Sequence, residues 1–199
     1  MLSAPRPTPC CARSTFRGVA LTVADVMGKG PAAGALAASV QAAFRAQDPD
    51  SNVADVVTAT DERVSPDLVI MESFATAFHA HLDQATGRVD YGDAGHGIAM
   101  HLRAGQQTPH LLLSHDLPLG VHPGAWRRTS GSLMLEPGDA LIVCSDGVLD
   151  LYDGTLAALN QLATLYRLAP AAFLIAVKEL VMDRGADDDI TILVLTRTR

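Results

Sequence analysis

Aromatic residues are scarce in this 199-residue chain, 5% of the sequence, with a single tryptophan at position 126. Trp126 and the scattered tyrosines form no stacking platform for nucleic-acid bases. Positive charge is also short. Fifteen Lys and Arg stand against 22 Asp and Glu, a formal net charge of −7. Nucleic acid and anionic membranes both reward basic patches, so neither is expected as a partner. No apolar run approaches the roughly 18 residues that a membrane span needs. The first sixteen residues carry three prolines and no apolar core of the kind a signal peptide requires. Cysteine is confined to positions 10, 11 and 144. That is neither a disulfide framework nor zinc-ligand spacing, and a reducing, cytoplasmic setting is the expectation.

What is present suits one globular domain. Hydrophobic residues make up 48% and charged residues 19%, ordinary values for a folded chain long enough to bury a core. Residues 1–16 read as an unstructured lead-in, and residues 17–199 as the domain. The short β-branched run from Val19 to Val26 reads as a buried strand that breaks at Gly28 and Gly30. Pro31 sits where a first helical residue belongs, and Leu36, Val40 and Phe44 give the following alanine-rich segment one buried stripe. A second helix is expected from about Asn52 to Ser65, closed by Pro66.

From Phe74 the period changes to two, which predicts a strand with one buried face, then a hairpin into Arg88–Asp93. Further short strands are expected at Ile98–Leu102, Leu111–Leu113, Gly131–Leu135 and Ala140–Cys144. Helices follow at about Leu156–Tyr166 and Ala171–Met182, and a last strand at Ile190–Thr196. Strands grouped together, with helices before and after, argue for an α+β fold over a doubly wound sheet.

Three acidic loops adjoin strong strands: Asp25 in Ala24–Gly30, Asp146 in Cys144–Gly147, and Asp187, Asp188 and Asp189 before Ile190. An Asp at a strand end can project into a cleft while its backbone stays in the sheet. Carboxylates gathered in this way repel unless a cation joins them, and oxygen ligands suit Mg2+ or Mn2+. Each piece also has a plain reading. Asp-Gly after a strand is most often a turn, and three consecutive aspartates are usually a solvated loop.

The motifs in order carry more weight than any one of them. VADVMGKGPAAGALAASVQAAF (23–44), the central hairpins with the turn Asp93-Ala94-Gly95-His96, LPLGV (117–121), LEPGDALIVCSDGVLDLYD (135–153) and DDDITILVL (187–195) resemble the sporulation-phosphatase (SpoIIE-like) branch of the PPM metal-dependent protein phosphatases. The similarity spans roughly residues 19–197. It implies an αββα sandwich, two antiparallel sheets flanked by helices, with metal at one end. It further implies that Asp25 is the bridging metal ligand, that the Val26 carbonyl joins a second metal, and that Asp146 and Asp188 complete the first. Asp187 and Asp189 are rivals, but alignment on Ile190-Thr191 favours Asp188. The implied cofactor is Mn2+ or Mg2+. The implied reaction is hydrolysis of phosphoserine or phosphothreonine by direct attack of water. The implied partner is a phosphorylated protein of the anti-sigma-factor antagonist type, and a homodimer is compatible with the pattern.

One part of the family pattern is missing. The family carries a Gly-Gly-Asp strand upstream of the bridging Asp, whereas here no Asp or Glu precedes Asp25. Either a form lacking an upstream segment or a natural variant with reduced catalysis accounts for this, and a phosphatase-fold binding module is the alternative function. Other motifs are weaker. Gly28-Lys29 fails as a phosphate-binding Walker loop at Val23 and at Gly30. Asp93–Gly97 fits a histidine-kinase-type ATPase box but lacks its Asn-bearing helix, so His96 reads as a turn residue. His79 and His81 share a strand face without a third ligand, which favours a hydrogen-bonded pair over a metal site.

Overall fold

The computed structural model describes residues 10–113, 116–122, 127–151, 154–184 and 189–198. It is α+β, as expected: two antiparallel sheets flanked by helices. By contact the chain divides into two units, one of residues up to Gly97 with Leu113–Leu135, the other of Ile98–Leu112 with Glu136–Arg199.

The first unit holds a sheet of order β1-β2-β3-β4-β7, with β1 at Cys10–Ser14, β2 at Gly18–Val26, β3 at Ala75–Asp83, β4 at Arg88–Ala94 and β7 at Gly131–Met134. Helices α1 (Pro31–Ala46) and α2 (Val53–Ile70) pack on one face. Alternation along β2 turns Ala24 and Val26 into the core these helices make with Leu36, Val40, Phe44, Val57 and Leu68. Asp25 therefore points to the opposite face.

Three expectations are corrected in this unit. The lead-in is not unstructured throughout, because Cys10–Ser14 form β1 and pair with β2 in the register Cys10↔Val23 to Ser14↔Val19. Pairing decides this edge strand. Its residues alternate between exposed and half-buried, a pattern that needs β2 to be stable. The second helix runs through Pro66 to Ile70. A proline inside a helix costs about 3 kcal/mol, and burial on both sides of it outweighs that cost: Ser65 and Leu68 are both buried, Leu68 completely. Strand β3 is covered on both faces rather than one. His79 on the helix side is buried, as are Phe78 and Ala80 on the other.

The second unit holds a sheet of order β6-β5-β8-β9, with β5 at Ala99–Leu102, β6 at His110–Leu112, β8 at Ala140–Cys144 and β9 at Ile192–Thr196. Helices α3 (Thr155–Leu168) and α4 (Phe173–Arg184) complete its core, with Leu159, Leu162 and Phe173 against Met100 and Ile142. All five residues of β8 are buried, which explains its uninterrupted apolar sequence. At the far end of β8 the buried Asp139 carboxylate accepts hydrogen bonds from His101 Nε2 at 2.8 Å and from the N–H groups of Ala104 and Glu136 at 2.8 and 3.1 Å. Burial alone would raise the Asp139 pKa, but these hydrogen bonds outweigh it and hold the carboxyl below its ordinary value.

Candidate active site

In the first unit, Asp25 is half-buried near the end of β2 and stands opposite Thr76 of β3. The Met27 N–H donates to the Phe74 carbonyl at 2.9 Å. Ladder alternation then turns the Val26 carbonyl away from β3. On that other side the β1 register reaches only Val23. The loop that follows is glycine-dependent, with Gly28 at φ 113° and Gly30 at φ 85°, where a side chain is strained. It enters α1 with Pro31 in the first turn and no acidic residue there.

The turn after β4 lies at the same end of this sheet. The Asp93 carboxylate accepts from the His96 N–H at 2.6 Å and from the Gly97 N–H at 3.0 Å. His96 Nδ1 lies 3.4 Å from the Thr76 hydroxyl, and Ala77 bridges Gly95. His96 is thus a buried turn residue one side chain removed from Asp25. Gly95 packs so closely on Pro118 that an added Cβ would come within 2.7 Å of its ring.

The segment Leu117–Gly120 is tied to this sheet end by backbone and by charge. Leu119 exchanges hydrogen bonds with Ala75 at 2.7 and 3.1 Å, and Ala75 is the register partner of Val26. Asp61 of α2 accepts from the Gly120 N–H at 2.9 Å, from Ser65 Oγ at 2.7 Å and from Arg128 Nη2 at 2.5 Å. Arg128 also donates to the carbonyls of Leu117 and Pro118. This is a buried ion pair whose hydrogen bonds hold a loop in place.

In the second unit, β8 ends at Cys144 and a 3-10 helix begins at Asp146. Asp146 is half-buried. The buried Ser145 ties it to the acidic loop before β9. Its Oγ donates to the Asp189 carbonyl at 3.2 Å and accepts from the Thr191 N–H at 2.9 Å, while its N–H donates to the Thr191 carbonyl at 2.9 Å. Gly147 permits this approach, since a Cβ there would sit 2.5 Å from the Asp189 oxygen. Burial pushes the neighbouring Cys144 thiol up to about 12, so it stays protonated and inert.

The expected site residues therefore fall as follows. Asp25 and Val26 end one strong strand, and Asp146 follows another. Asp189, at the end of the acidic loop, is brought beside Ser145. Asp187 and Asp188 lie outside the described residues. Among the described residues, no group of three or more His, Cys, Asp or Glu side chains is gathered closely enough to hold a metal. The donor set at the expected positions consists wholly of carboxylate and carbonyl oxygen, which is the chemistry a hard divalent ion takes. Strand β1, paired to β2, offers Cys10, Cys11, Ala12, Arg13 and Ser14 and no carboxylate.

His79 and His81 are not a metal pair. His79 Nδ1 meets the Thr22 hydroxyl at 2.8 Å and its ring stacks on Phe44. His81 Nε2 meets the Thr15 hydroxyl at 3.0 Å and lies 3.7 Å from Asp50. Sequence reading missed Thr76, the Asp61–Arg128 pair and the role of Ser145. Only Thr76 had a usable signal, its alternation along β3, and that becomes informative once the β2–β3 register is known.

Comparison with known proteins agrees with this fold. The Stage II sporulation protein E (SpoIIE) family matches residues 16–198, and the chain belongs to that family. Protein IcfG of Synechocystis sp. is 31% identical over 96 residues, 48% of this chain and 15% of that protein. The structure of the RsbU and RsbW domains of Rv1364c from Mycobacterium tuberculosis superposes with a TM-score of 0.81 at 24% identity, over 98% of this chain and 56% of that one. The catalytic domain of the serine/threonine protein phosphatase PstP, in complex with two manganese ions, gives a TM-score of 0.67 at 18% identity, over 95% and 96% of the chains. The chain thus spans a small part of IcfG and about half of the Rv1364c structure. It has the fold of the metal-dependent protein phosphatases. Among the described residues, no helix is long and apolar enough to cross a membrane.

Proposed function

We propose that this domain is a metal-dependent phosphatase that hydrolyses phosphoserine or phosphothreonine on a protein, with Asp25, the Val26 carbonyl, Asp146 and Asp188 as the ligands of Mn2+ or Mg2+. The observation that supports it most is the placement of Asp25. The carboxylate lies at the end of a fully paired strand, on the face away from the helices, with the adjoining Val26 carbonyl turned away from β3. A divalent ion held by these oxygens would activate water and offset charge on the phosphoryl group. The chain's own residues do the positioning. The β2–β3 ladder fixes Asp25, and Ser145 and Gly147 fix the approach of the acidic loop to Asp146. Thr76 and His96 form a hydrogen-bonding pair beside Asp25. The substrate in this proposal is the one that the family resemblance implies, a phosphorylated anti-sigma-factor antagonist. A reducing cytoplasm suits the free cysteines.

A second reading, a binding module that recognises a phosphorylated partner without turnover, is favoured by one observation. Neither β1 nor any residue before Asp25 supplies a further carboxylate. Release of phosphate from p-nitrophenyl phosphate separates the two. The enzyme reading expects turnover that needs manganese, stops with chelator and falls at least about a hundredfold in Asp146→Asn, the scale of removing one charge-stabilising group. Turnover no greater than that of the variant would leave the binding module.

A further inference from the structure

The first unit exposes apolar side chains that its core does not use, and they lie on segments that meet at the end of the sheet carrying Asp25. Met27 follows Val26 and is 44% exposed. Ile70 and Met71, at the end of α2, are 78% and 50% exposed, and Leu117 and Val121 flank the loop pinned by Asp61. Hydrogen bonds and close packing join these segments. Ser73 Oγ donates to the Met27 carbonyl at 3.0 Å, and the Ser73 N–H returns to the Leu68 carbonyl at 2.9 Å. Gly120 lies against Leu68, where an added Cβ would come within 2.8 Å. Glu72, the one non-glycine residue at positive φ (49°) among the described residues, turns the chain sharply between α2 and Ser73. Single exposed apolar side chains are ordinary, but several converging on one site are not.

We propose that this apolar rim docks the polypeptide on either side of the phosphorylated residue and selects substrates with an apolar side chain within a few positions of it. This rests on the phosphatase reading for its phosphorylated partner. An extended chain advances about 3.3 Å per residue. With a phosphorylated side chain directed toward Asp25, its neighbours fall over the surface that Met27, two residues after Asp25 and just past the end of β2, begins. The occupant is therefore a peptide continuous with the phosphorylated residue. The net charge of −7 disfavours acidic flanks, and the apolar side chains of Met27, Ile70, Met71, Leu117 and Val121 are matched by apolar ones.

The test uses two fluorescent peptides carrying a phosphonate in place of the phosphate, which cannot be hydrolysed. They are identical except for leucine or serine at the two positions on each side. Fluorescence anisotropy with manganese reads their affinities. The wild type should bind the leucine peptide at least roughly tenfold more tightly, a ratio equivalent to about 1.4 kcal/mol. Ile70→Glu/Met71→Glu/Val121→Glu should erase that preference and leave p-nitrophenyl phosphate turnover unchanged. Leu168→Glu, at an exposed leucine of the other unit, should do neither. The single variants Ile70→Glu and Val121→Glu replace the triple if its circular dichroism is not that of the wild type. Equal affinities, no binding of either peptide, or a preference that survives in the variants overturns the proposal. So does a change of oligomeric mass in the variants with peptide preference intact, which would make the rim a contact between copies. A preference lost in the variants, in a protein that releases no phosphate, keeps the docking surface and removes the phosphatase reading.

Discussion

Replacing Asp61 with alanine should be among the most damaging single changes in the first unit, and the structure gives its size. Asp61 is 4% exposed and Arg128 3%. The carboxylate accepts hydrogen bonds from Ser65 Oγ, the Gly120 N–H and Arg128 Nη2. Removing it leaves a buried guanidinium with only the carbonyls of Leu117 and Pro118 as acceptors, and it orphans the Gly120 N–H. Breaking one partner of a buried pair costs about 3–5 kcal/mol, of which an unsatisfied buried N–H accounts for roughly 1–3. The whole fold is worth about 5–15 kcal/mol, so the variant should fold with most of its margin gone.

Urea unfolding followed by circular dichroism reads the loss directly. A second variant shows where it comes from. Asp61→Leu/Arg128→Met removes both charges, and apolar replacement of a buried pair is often neutral or better. The double variant should therefore recover most of what the single one loses. Phosphate release should nevertheless stay reduced in both, because the loop that holds Leu119 on Ala75, beside Thr76 and Asp25, has lost its anchor. A single-variant loss below about 1 kcal/mol, the value of an exposed pair, would refute the reasoning. So would a double variant as unstable as the single one.

Gly147→Ala should destabilise the second unit by about 1–3 kcal/mol, as overpacking does, because the new Cβ meets the Asp189 carbonyl at 2.5 Å. Thermal unfolding checks the stability, and manganese titration of phosphate release checks the accompanying displacement of the acidic loop. Stability should also fall as pH drops from about 6.5 to about 4. Burial first, then the positive charges of His81 and Arg13, lower the His79 pKa to about 4. In that window the unfolded chain binds the proton and the folded chain does not, which costs up to about 3 kcal/mol by pH 4. Urea titrations at pH 7.5, 5.5 and 4.5 should show this slope, and His79→Gln should flatten it.

Much of the fold was legible because burial and backbone chemistry agree locally. The run Val19–Val26, its stop at Gly28 and Gly30, and Pro31 at the start of α1 all follow from residue type alone. The failures came where a distant partner overrides local preference. Strand β1 is an edge strand of mostly polar and small residues, stabilised by the β2 backbone beside it. Helix α2 passes Pro66 because Leu68 is buried and Asp61 is clamped by Arg128, 67 residues away in the chain. His79 is buried because Thr22 and Phe44 receive it, and neither is visible from the alternation of β3. Of the site, the acidic strand ends were legible. The ties that position them, Ser145 to Asp189 and Thr76 to His96, join segments 44 and 20 residues apart.

The missing upstream carboxylate then bears on charge more than on architecture. The backbone at Asp25 is fixed by the β2–β3 ladder, and that at Asp146 by β8 and the hydrogen bonds of Ser145. None of these pairings uses a residue before Gly18. Under the proposed ligand set, Asp25, Asp146 and Asp188 bring three negative charges. One divalent ion leaves one negative charge uncompensated, and two leave one positive charge in excess that a further carboxylate would offset. Under that proposal the first ion meets three negative charges and a second meets only the one that remains, so the first is held more tightly. A second ion would have to be completed by the charge of the phosphoryl group itself, so metal and substrate affinities should rise together rather than independently.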